Sequence, residues 1–145
     1  MVSMKPNIWQ RRRARRALVQ ALYKWHLTKS KIGEILSEFL RGPALAKADQ
    51  TFFGEILTAV VNNNPALQTS ITVHLDRSYV RLDFVEQSIL ELATHELQGR
   101  KDIPYRVVID EYVELAKTFG AQDSYKYVNA VLDKISADCR NGEAV

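Results

Sequence analysis

Apolar residues recur along this chain at intervals of three and four, from the first quarter to the last. That is the period of a helix with one buried face, and the alternation of a strand is hard to find. Ala14, Leu18, Ala21, Leu22 and Trp25 stripe a first helix running to about Ser30, opened by Asn7 and Gln10 at capping-box spacing. Ile32, Ile35, Leu36 and Phe39 stripe a second, which Gly42-Pro43 stops. Phe52, Phe53, Ile56, Leu57 and Val60 mark a third, ended by Asn62-Asn63-Asn64-Pro65, and Leu67, Ile71 and Leu75 a shorter fourth. Asp83 and Glu86 have N-cap and third-position spacing ahead of Val85, Ile89, Leu92 and Ala93, in a helix that stops near Gly99. Pro104 suits the first turn of the next, with Val108, Tyr112, Leu115, Ala116 and Phe119 inward and Gly120 as C-cap. Asp123 is expected to cap a last helix carrying Val128, Val131, Leu132 and Ile135. The pattern predicts an all-α fold, a compact bundle of six to seven helices in two packed subdomains that meet near residues 76–81.

At 145 residues the chain fits a single domain, residues 1–145. Hydrophobic residues at 46% and charged residues at 26% are ordinary for a globular protein. Cys139 is the only cysteine, so no internal disulfide forms, which fits a reducing compartment. No apolar run reaches the length of a membrane span, and no hydrophobic region follows the basic N-terminus as in a secretory signal. A cytoplasmic protein is expected.

Charge changes the picture. The first sixteen residues hold Lys5, Arg11, Arg12, Arg13, Arg15 and Arg16 and no acid, a segment of +6 in a chain whose net charge is +3. The remainder is therefore mildly acidic, and a cationic cluster on such a body suits a polyanion. At about 100° per residue, Arg12, Arg13, Arg16, Gln20, Tyr23 and Lys24 fall opposite the apolar stripe. Guanidinium groups hold phosphates, a ring offers a stacking surface and an amide reads a base edge, so this face suits RNA. Tyr23 equally suits packing on a neighbouring helix. Arginines in the first turns also oppose the helix dipole, at roughly 0.3–1 kcal/mol each, which a bound anion would offset. Salt screening and the good helix propensity of arginine are the competing explanation.

Enzymatic chemistry finds little support. His95-Glu96 begins like a zinc-protease motif, but residue 99 is glycine. His26 and His74 are scattered, so no metal-ligand spacing emerges, and no glycine-rich phosphate loop is present. Asp110, Glu111 and Glu114 read as a solvated face. No catalytic residue, metal or cofactor is expected.

The C-terminal segment Glu114-Leu-Ala-Lys-Thr-Phe-Gly-Ala-Gln-Asp-Ser-Tyr-Lys-Tyr-Val-Asn-Ala-Val-Leu-Asp-Lys134 resembles the signature of the NusB family of bacterial transcription antitermination factors. Arg11-Arg12-Arg13-Ala14-Arg15 with Gln20-Ala21-Leu22-Tyr23, and Asp102-Ile103-Pro104-Tyr105, are similar to that family's opening and connector. The likeness covers nearly the whole chain. Tyr127 stands where the family often has phenylalanine, and Ala130 where glycine is common. The resemblance implies two three-helix-like halves and binding to the boxA element of nascent ribosomal RNA. It further implies partnership with NusE, a ribosomal protein, within an antitermination complex on RNA polymerase. On this reading phosphate contacts are expected from Arg11, Arg12, Arg13, Arg15 and Arg16, and base-edge or stacking contacts from Gln20 and Tyr23. Lys126 and Tyr127 would form a second part of the RNA surface, at a helix start suited to phosphate. Glu86 is expected to contact the partner or to serve its own helix cap, with Tyr79 and Arg81 at the same rim. Glu91 and Glu96 belong to the same acidic remainder. Two alternatives stay open: a protein-interaction scaffold, and an RNA-binding accessory module of an RNA methyltransferase. The free chain is either a monomer or a homodimer.

Overall fold

The computed structural model describes residues 7–143; Lys5, counted in the basic opening, lies outside them. Seven helices follow in order: α1 (Ile8–Thr28), α2 (Ile32–Arg41), α3 (Gln50–Asn62), α4 (Asn64–Thr72), α5 (Phe84–Gly99), α6 (Tyr105–Phe119) and α7 (Ser124–Cys139). Single 3₁₀ turns, Pro43–Leu45 and Tyr79–Arg81, lie in the connections before α3 and α5. Among the described residues there is no strand.

Each helix is oriented by its stripe. Ala14, Ala17, Leu18, Ala21 and Leu22 on α1 are at most 1% exposed, and the small alanines let neighbouring helices approach closely. Helix α5 packs against α1, α3, α4, α6 and α7 and so forms the centre of the bundle. One continuous core runs through it, from Phe53 and Leu57 of α3 to Val128 and Leu132 of α7.

The helix ends show where local chemistry decides. Asp83 and Glu86 form a complete capping box on α5. At α1 only half of the expected box is present: the Asn7 side chain accepts from Gln10 N at 3.0 Å. That helix stops at Thr28, two residues short of the expectation, because Lys29 turns left-handed (φ 57°). Asp123 likewise adopts φ 65° and makes no side-chain cap on α7, which corrects its expected role. Gly120 ends α6 in extended rather than left-handed geometry. Glycine is needed there for space, since a Cβ would lie 2.6 Å from the Ala116 carbonyl oxygen.

Candidate nucleic-acid interface

The outer face of α1 carries Arg12, Arg13, Arg16, Gln20 and Tyr23, all exposed. Between α1 and α6 runs a groove of about 510 Å³ lined by Arg12, Arg13, Arg16, Glu111, Glu114 and Thr118 among others. Arg12 Nε donates to both Glu111 oxygens at 3.2 Å. The Arg16 guanidinium lies over the Phe119 ring, 5.0 Å from its centre. Arg13 and Arg16 form no ion pair with any described residue, so their charge is available to an anion. Further along α1 a smaller hollow of about 290 Å³ is lined by Val19, Gln20, Tyr23, Val85 and Phe119. Tyr23 is 38% exposed and meets Phe84 edge-on at 6.5 Å. It packs on Phe84 while more than a third of its surface stays exposed.

Two arginines of the run are committed inward. Arg15, expected to hold phosphate, is 4% exposed. Its Nε and Nη2 donate to the two oxygens of Glu96 at 2.9 and 2.8 Å, and Tyr112 donates to the same carboxylate at 2.5 Å. Burial alone would lower the Arg15 pKa, but the hydrogen bonds and charge of Glu96 raise it above the ordinary value. Tyr112 is also raised, by burial first and by Glu96 second. Arg15 is therefore corrected from a surface contact to an internal tie between α1, α5 and α6. Arg11 is half-buried, over the Phe52 ring at 4.7 Å and 3.7 Å from Asp49. The carboxylates of Asp49, Glu96 and Glu111, supplied by other segments, offset the acid that the first turn of α1 lacks. Lys24, on the same wheel face, is bound to Glu38 of α2.

At the start of α7, Lys126 is exposed, 3.5 Å from Asp123. Tyr127 donates to Asp76 Oδ1 at 3.1 Å, and the Arg77 guanidinium lies 4.2 Å from its ring centre. Hydrogen bonds from Arg77, then Tyr127, hold the Asp76 carboxyl below its usual range. The structure joins this region to the α1 face. Val85 and Phe119 line the Tyr23 hollow, while Glu86, next to Val85, accepts from the Ser124 hydroxyl at 3.0 Å.

Among the expected partner contacts, Glu86 is half-buried and engaged, serving its own capping box and Ser124. Tyr79 turns its hydroxyl inward to Glu91, where burial, then Glu91, raises its pKa. Arg81 is exposed, beside Val80 at 85%. Glu91 and Glu96 are fully buried and face no partner. Glu91 also accepts from Asn64 at 2.8 Å and meets His26 Nε2 at 2.7 Å.

Sequence reasoning passed over Glu111, read as a solvated residue, and Phe119, read only as core. It also passed over the Asp76–Arg77 pair, whose adjacency within the predicted boundary segment was the available signal. Glu111 lies 99 positions from Arg12, a separation that periodicity does not bridge.

A model of the NusB family matches residues 12–137. The chain is 46% identical over 134 residues to the transcription antitermination protein NusB of Alcanivorax borkumensis, covering 92% of this chain and 89% of that one. It is similar to the structure of T. maritima NusB, with a TM-score of 0.80, 33% identity, and coverage of 93% and 94%. It also resembles a crystal structure of the antitermination factors NusB and NusE in complex with dsRNA, with a TM-score of 0.83, 26% identity, and coverage of 91% and 99%. Spanning the arginine-bearing α1, the central α5 and the start of α7 alike, these matches establish that the chain belongs to the NusB family.

Proposed function

We propose that this chain acts in transcription antitermination by binding the boxA element of nascent ribosomal RNA, jointly with the ribosomal protein NusE, for assembly on RNA polymerase. The observation that carries the reading is the cationic groove of α1, where Arg13 and Arg16 stand without carboxylate partners among the described residues, beside exposed Gln20 and Tyr23. Arg12, Arg13 and Arg16 hold phosphates, Arg12 by exchanging Glu111 for the incoming anion. Gln20 and Tyr23 meet bases, and Lys126 and Tyr127 continue the surface beyond the Tyr23 hollow. Glu86, Tyr79 and Arg81 mark the rim that faces the partner, with Arg81 and the exposed Val80 as its outward groups. The role is binding without catalysis, and work on a bacterial transcript assigns it to the cytoplasm.

Titration with boxA RNA, a scrambled single strand and a duplex, each with and without NusE, tests this. Preference for boxA that sharpens with NusE is the expected result. Equal binding of all three RNAs in both conditions would contradict it. A gain from NusE alone, with no affinity of the free chain for RNA, would favour the scaffold reading.

A further inference from the structure

Trp9 is one of the chain's two tryptophans. It stands in the first turn of α1 and is 63% exposed. The Arg12 guanidinium lies over one face of its ring, 4.8 Å from the centre, and is fixed in turn by Glu111. A ring covered on one side and still this exposed presents its other face to solvent. Trp9 also lies three, four, seven, eleven and fourteen positions before Arg12, Arg13, Arg16, Gln20 and Tyr23, which puts all six side chains on one helical face. At about 1.5 Å per residue, Trp9 and Tyr23 are about 21 Å apart along the axis, with the arginines between them.

We infer that Trp9 is a stacking platform for a nucleotide base at the N-terminal end of the arginine row, extending the RNA track beyond Arg12. This inference rests on the reading of the α1 face as an RNA surface. Every base has a π-face, so stacking on an indole adds affinity without demanding a particular base. The cation–π contact with Arg12 orients the ring before RNA arrives, which reduces the ordering cost of binding. The charge around the ring favours this occupant over a protein: Arg12 and Arg13 lie one turn away, and Arg13 has no ion pair among the described residues. A phosphate chain carries the complementary charge past them.

The chain has two tryptophans, Trp9 and the partly buried Trp25, so the full chain with Trp25→Phe reports on Trp9 alone. Binding of single-stranded boxA RNA should quench its emission. Trp9→Ala should weaken binding about 5- to 150-fold, and Trp9→Phe should restore most of the loss. Removing the base from one terminal nucleotide of the RNA should weaken binding to the parent chain and leave Trp9→Ala unaffected. If Trp9→Ala binds RNA like the parent while alanine at Arg12, Arg13 and Arg16 abolishes binding, the stacking role is overturned and the RNA surface stands. If neither variant loses affinity, the RNA reading falls with it. Intact RNA affinity with an altered oligomeric state would assign Trp9 to a protein contact and overturn the inference.

Discussion

What each arginine of α1 does is set by the group opposite it. Arg15 meets a buried carboxylate and becomes part of the interior, while Arg13 meets solvent. Arg15→Ala leaves Glu96 buried without its cation, and should cost about 3–5 kcal/mol in urea unfolding. Arg13→Ala should change stability by no more than about 0.5 kcal/mol, so equal effects would refute the division. Periodicity could place Arg12, Arg13, Arg16, Gln20 and Tyr23 on one face because that follows from helix geometry alone. The same geometry sets Arg15 apart from them, three and seven positions before Leu18 and Leu22 of the apolar stripe; what it could not supply is the buried counter-ion, Glu96, 81 positions away. His95 gives a second test. Burial, with Arg100 adding to it and Glu96 opposing, lowers its pKa below the ordinary 6.5. The folded chain then binds this proton less readily than the unfolded one. The resulting stability is full above that ordinary value and is lost as pH falls through the lower, folded one. His95→Gln should flatten the acid limb of unfolding midpoint against pH, and an unchanged limb would clear His95 of the effect.

At the scale of elements, helices were legible and their ends less so. Stripes such as Phe52, Phe53, Ile56, Leu57 and Val60 identify a helix because burial enforces the period. Asp123 has the right residue type for a cap, yet the tight connection from α6 turns it left-handed and removes its side chain from the helix end. Two substitutions probe this part of the chain. Gly120→Ala must move the Ala116 carbonyl or Ser124 and should cost roughly 1–3 kcal/mol. Ala130→Gly, on the exposed side of α7, should cost about 0.5–1 kcal/mol through backbone freedom alone. Thermal unfolding should rank the first as the more damaging, and the reverse order would count against the close approach at Gly120.

Across the whole molecule, α5 holds both halves together. Its buried Glu91 and Glu96 gather polar groups from α1, α4 and α6, and one apolar core crosses the segment expected to divide the chain. Unfolding followed by circular dichroism and by tryptophan emission should therefore coincide in one transition. Separate midpoints would indicate two independent units. The same packing assembles the surface: α6 contributes Phe119 and Glu111 beside the arginines, and α5 contributes Val85 and Glu86 between Tyr23 and Ser124. None of these partners was visible from spacing; the family resemblance indicated that the two ends of the chain share a surface, without saying what joins them. The most direct test of that surface is the salt dependence of boxA binding, compared between the parent chain and the variant with alanine at Arg12, Arg13 and Arg16. If each arginine neutralises one phosphate, the slope of log affinity against log salt should become shallower by about 2, at about 0.7 per contact, with helical content unchanged. An unchanged slope in a folded variant would contradict the account.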